Sequence, residues 1–114
     1  MSESWNGREF DRSAVDMAVV ITSEDGTVVT SRTGDVGMGG FSVQVDEPLQ
    51  VGVQCQVHMV FGEDTEGRVE MRAQAAVVWS SAPYIGFSFT HMEPEDYEKM
   101  RALFLYTPIS TEWR

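Results

Sequence analysis

Apolar and polar residues alternate along most of the chain. Val15, Met17, Val19 and Ile21 occupy every second position of one run, the period of a strand with one buried face. Asp25-Gly26, inside "SEDGT" (23–27), marks a hairpin turn after it. A second strand is predicted over 28–36 and is interrupted by Gly37, Gly39 and Gly40; Phe41, Val43 and Val45 carry a third. Pro48 and Gly52 make "DEPLQVG" (46–52) a loop. Cys55, Val57, Met59 and Phe61 share one face of a fourth strand, and "GEDTEG" (62–67) is a polar connection. The longest alternation runs through Val69, Met71, Ala73, Ala75, Val77 and Trp79, which assigns Trp79 to the core side of a fifth strand. "SSAP" (80–83) turns the chain into a sixth, with Ile85, Phe87 and Phe89.

The period then changes. Over 93–106, Tyr97, Met100, Arg101, Leu103 and Phe104 recur at helical spacing. Pro94 suits the first helical position, and Glu95 and Asp96 suit the positive end of the helix dipole. Pro108 would end the helix. The pattern predicts a mainly β fold, a six-stranded antiparallel β-barrel with a C-terminal α-helix whose apolar stripe covers the barrel. It divides the chain into a flexible N-terminal segment (1–7), one domain (8–106) and a C-terminal tail (107–114).

Composition narrows the function. A chain of 114 residues supplies one core. No apolar run approaches a membrane span, and "MSESWNGREF" (1–10) lacks the basic and apolar regions of a signal peptide, so a cytoplasmic protein without a membrane partner is expected. The single cysteine, Cys55, has no internal disulfide partner and falls on an apolar strand face, as a core thiol would. A net charge of −10 argues against nucleic acid as a partner, and against an oligonucleotide-binding barrel in particular, because backbone binding needs a basic face. His58 and His91 stand apart from any cluster of metal ligands. With no G-x-S-x-G, P-loop lysine or H-E-x-x-H, the chain reads as a binding module and not an enzyme, with neither metal nor cofactor.

Against that background two short stretches stand out. The chain has eight basic residues and eighteen acidic ones, yet "GREFDR" (7–12) places Arg8 and Arg12 four apart. Solvated terminal arginines, paired with Glu9 and Asp11, are one reading. "GDVGMGG" (34–40) sets Asp35 in a glycine-rich turn, which reads either as a bulged strand connection or as backbone that a ligand can approach closely. Together their chemistry is complementary. A guanidinium binds phosphate oxygens or the O6/N7 edge of guanine, and a carboxylate accepts from the N1–H and N2–H₂ donors of the same base.

R-x-x-x-R (Arg8, Arg12) followed by D-x-x-x-x-G (Asp35, Gly40) resembles the motif pair of the PilZ domain family, bacterial receptors for cyclic di-GMP. The likeness extends through "GFSV" (40–43), "AQAAVVW" (73–79), "YIGFSF" (84–89) and "EPEDYEKMRALF" (93–104), covering roughly residues 8 to 105. The resemblance implies the same six-stranded barrel with a C-terminal helix. It implies that Arg8 and Arg12 clamp the nucleotide, that Asp35 holds a guanine, and that Gly37 and Gly40 belong to the second motif. Gly37 stands where the family usually has Ser or Ala, and Gly7 stands where some members carry a further arginine that favours a stacked nucleotide dimer, so the resemblance leaves one or two nucleotides per site open and Gly7 favours one. The implied function is a cyclic di-GMP receptor that orders residues 1–12 over the barrel and signals through an unidentified downstream protein. The alternative is a PilZ-like adaptor that works through protein contacts without nucleotide.

Overall fold

The computed structural model describes residues 12–13, 16–62 and 64–106. Within them the chain forms β1 (Arg12–Ser13), β2 (Ala18–Ser23), β3 (Val28–Gly37), β4 (Gly40–Gln44), β5 (Gln54–Phe61), β6 (Val69–Ser81), β7 (Tyr84–His91) and α1 (Pro94–Tyr106). The strands pair antiparallel in the order β3-β2-β5-β6-β7-β4, and a further β3–β4 pairing closes the ring. This is the predicted six-stranded barrel with a C-terminal helix. β1 is a two-residue addition on β3, beside the ring. Arg8, the segment 1–7 and the tail 107–114 lie outside the described residues.

The alternation puts its apolar members inside. Met17, Val19, Ile21, Phe41, Val43, Val57, Met59, Met71, Val77 and Ile85 are all buried. Phe41 and Phe87 stack with ring centroids 4.7 Å apart beneath the β4–β7 pair. Cys55 is buried as well, and desolvation, with Glu24 and Asp25 nearby, pushes its thiol pKa up. The Asp25-Gly26 hairpin forms as its sequence suggests. Gly26 has φ 91°, a left-handed value that a side chain would resist, and the Asp25 carboxylate accepts from the Ser23 hydroxyl and the Thr27 amide.

The helix covers the barrel with Met100, whose side chain is fully buried, and with Leu103, packed partly against the same cluster. Two polar contacts tie it to β6. The Arg72 amide donates to Asp96 at 3.1 Å, and Lys99 donates to the Glu70 carbonyl at 3.1 Å.

The ladders shift register at Gly34 of β3, Val78 of β6 and Thr90 of β7, and the first two breaks matter for the outer surface. In β3 the register passes from Thr33↔Val43 to Asp35↔Ser42, so Gly34 is an extra residue. In β6 it passes from Val77↔Phe87 to Trp79↔Gly86, so Val78 is extra. Each bulge reverses which face the following residues present. Thr33 is buried, Asp35 turns outward beside Ser42, and Val36 returns to the core opposite Phe41. Trp79 is likewise turned outward and is 37% exposed, which corrects its assignment to the core.

Candidate functional site

The two sequence motifs meet in the sheet. β1 pairs with the end of β3 so that Arg12 is the Cα partner of Gly37 and Ser13 that of Val36. Next to it, the Thr33 amide donates to the Met17 carbonyl at 2.9 Å and the Thr33 hydroxyl accepts from the Met17 amide at 3.0 Å.

From Asp35 a row of residues crosses the outer face of the barrel. Asp35 pairs with Ser42 of β4, Ser42 with Gly86 of β7, and Gly86 with Trp79 of β6. The Ser42 hydroxyl donates to the Asp35 carboxylate at 2.8 Å, fixing the orientation of that side chain. At the far end the Trp79 indole covers Gly86: a Cβ there would lie 2.2 Å from the ring. Three strand spacings separate the ends of the row, about 14 Å. The stacked Phe41 and Phe87 support its middle from inside.

Gly40 is explained by packing. A Cβ at this position would sit 2.0 Å from the Phe87 carbonyl oxygen, so the close approach of β4 to β7 requires glycine. Its effect is to bring β4, and hence Ser42, against β7. Gly37 is buried in the strand. The structure thus brings Arg12, Asp35, Gly37 and Gly40 into one region, with Arg8 outside the described residues. Ser42 and Trp79 join that region without having been singled out for it. Alternation does put Ser42 outside, but its contact with Asp35 depends on the bulge at Gly34.

His58 bonds Glu70 at 3.0 Å and His91 bonds Glu93 at 2.9 Å, each an ordinary surface pairing. Among the described residues no group of three His, Cys, Asp or Glu side chains could hold a metal ion. No described helix is long and apolar enough to cross a membrane.

The chain matches the family model of the PilZ domain over residues 6–106 and belongs to that family. It is a family of cyclic di-GMP receptors, whose domains are generally binding or adaptor modules. Among solved structures the chain is similar to the Bacillus subtilis inhibitor of motility (MotI/DgrA), with TM-score 0.67 and 14% identity over 89% of this chain and 53% of that one. It spans about half the length of that protein. It is also similar to the PilZ domain of CeSA from a cellulose-synthesizing bacterium, with TM-score 0.62 and 21% identity over 82% of this chain and 94% of that one. At these identities the likeness concerns the fold. No curated protein matches the chain in sequence.

Proposed function

We propose that the chain is a non-catalytic cyclic di-GMP receptor that signals through a protein partner. The observation that carries this reading is the Arg12↔Gly37 pairing, which joins the arginine segment to the strand bearing Asp35. Arg8 and Arg12 bind the phosphates and guanine edges. Asp35, oriented by Ser42, accepts from the N1–H and N2–H₂ of one guanine. Trp79 offers its exposed ring to a base at the other end of the row. A row of about 14 Å suits a dinucleotide better than a single base.

Because the Arg12 backbone is already paired with β3, ordering on binding concerns residues 1–11. The dianionic ligand draws Arg8 onto the barrel against the repulsion of a chain with net charge −10, so affinity is sensitive to salt. The closed segment then forms a new surface for the partner. The similarity to a protein named as an inhibitor of motility supports a partner-directed role.

Gly37, where the family usually has Ser or Ala, favours the second reading, an adaptor that does not take nucleotide. Titration calorimetry with cyclic di-GMP separates the two. Saturable binding by the wild type, weakened about tenfold or more in Arg12→Ala and Asp35→Ala, is expected for the receptor. Equal binding by wild type and Arg12→Ala removes Arg12 from the site. No binding at either low or physiological salt overturns the receptor and leaves the adaptor.

A further inference from the structure

The barrel closes along only part of β3. Pairing with β4 covers Thr33, Asp35 and Val36, but not Val28–Arg32. At that end the two strands part. The Val45 amide follows β7 by donating to the Pro83 carbonyl at 2.8 Å, while β3 stays with β2. A groove of about 760 Å³ opens between them, lined by residues 27–32 and 44–47. The Ser31 hydroxyl bridges it, donating to the Gln44 carbonyl at 2.8 Å.

The β2–β3 ladder determines which backbone groups face this groove. Ser23 donates to Thr27 and Thr33 donates to Met17, so 27, 29, 31 and 33 form the hydrogen-bonded pairs with β2. The N–H and C=O groups of Val28 and Thr30 therefore point to the opposite side. Among the described residues no backbone group meets them there. Free edges are normally blunted by Lys, Pro or a bulge. This one reads Val-Val-Thr-Ser over 28–31, and Val28 is 58% exposed.

We infer that the open edge of β3 at Val28–Arg32 receives an extended, basic segment of a partner protein as an added strand. Backbone pairing supplies the register, and alternate side chains of the segment enter the groove. Charge selects a basic occupant. Asp46 and Glu47 are exposed on the facing wall, Glu24 and Asp25 are exposed at the hairpin end, and Arg32 is engaged by Asp16 at 2.7 Å. A second copy of this chain is disfavoured, since each carries a net charge of −10 and both would bring Asp46 and Glu47 to the contact. The inference does not depend on nucleotide binding, and its test omits nucleotide.

The full chain is panned against a random ten-residue peptide library, and an enriched peptide is followed by fluorescence anisotropy and amide hydrogen exchange. Enriched peptides are expected to alternate β-branched residues with Lys or Arg. Binding is expected to slow exchange of the Val28 and Thr30 amides about tenfold or more. Thr30→Pro removes an amide the β2 ladder does not use and should abolish binding. Joint Asp46→Lys and Glu47→Lys should weaken it about fivefold or more. If Thr30→Pro does not fold, the same peptide with alternate amides N-methylated takes its place and should fail to bind. No enrichment, acidic consensus peptides, protection elsewhere or indifference to N-methylation overturns the inference. A concentration-dependent dimer that protects the same amides assigns the edge to a second copy and overturns it too.

Discussion

Ser42 holds Asp35: its hydroxyl donates to the carboxylate at 2.8 Å across the β3–β4 pair, on the outer face of the barrel. The contact ties the acidic residue of the second motif to the strand that Gly40 presses against β7. It also makes the carboxylate's orientation a property of the rigid sheet.

Ser42→Ala should therefore leave the fold intact and weaken nucleotide binding. A hydrogen bond to a charged group contributes about 1.5–3 kcal/mol, so a loss of roughly tenfold in affinity is expected by calorimetry. Ser42→Thr, which keeps the hydroxyl, should recover most of it. Unchanged affinity in Ser42→Ala would mean that Asp35 is positioned without it.

Trp79→Ala should behave as a surface substitution in stability and as a site substitution in binding. Stacking of a base on an aromatic ring contributes about 1–3 kcal/mol, so affinity should fall roughly tenfold, with Trp79→Phe in between. Indole fluorescence provides an independent readout. The quench on adding cyclic di-GMP should shrink in Trp79→Phe, with the signal of Trp5 and Trp113 remaining.

Gly40→Ala should destabilise the barrel. The Cβ would meet the Phe87 carbonyl, a backbone atom that cannot move without parting β4 from β7. A cost of about 1–3 kcal/mol or more is expected, seen as a lower denaturant midpoint at an unchanged slope. Gly86→Ala meets the Trp79 indole instead and should displace it, costing less stability while disturbing the same binding surface.

The hairpin at Asp25 should respond to acid. Hydrogen bonds from the Ser23 hydroxyl, and then from Thr27, hold its carboxyl down at about 2, against an ordinary 3.8. A lowered folded-state value means that the contribution to stability is fully present above the unfolded value near 3.8 and is lost as pH falls through about 2. An NMR titration should show Asp25 protonating in that low range, and Ser23→Ala should move it up. An Asp25 that titrates near 3.8 in the wild type would contradict the account.

The sequence carried most of the barrel because each strand has one buried face, and the helix because its period differs. It carried the two motifs because their residue types and order are distinctive. Trp79 and Ser42 were hidden for one physical reason. Strict alternation places Trp79 with Val77 on the core side, and the bulge at Val78 reverses it. The bulge at Gly34 does the same for Asp35 and brings it beside Ser42. A bulge adds a single residue and leaves only a weak local signal, here a glycine in β3 and nothing distinctive in β6. The open edge of β3 was equally illegible, since it depends on where β4 leaves β3 for β7.

The central claim is that the two motifs form one nucleotide site on the outer face of the barrel. An amide chemical-shift map of the full chain with and without cyclic di-GMP tests it most directly. The account predicts shifts confined to residues 5–12 and 32–42, together with Gly86 and the Trp79 indole N–H. An unchanged spectrum at saturating nucleotide, or shifts centred on the outer face of β5 and α1, would contradict it.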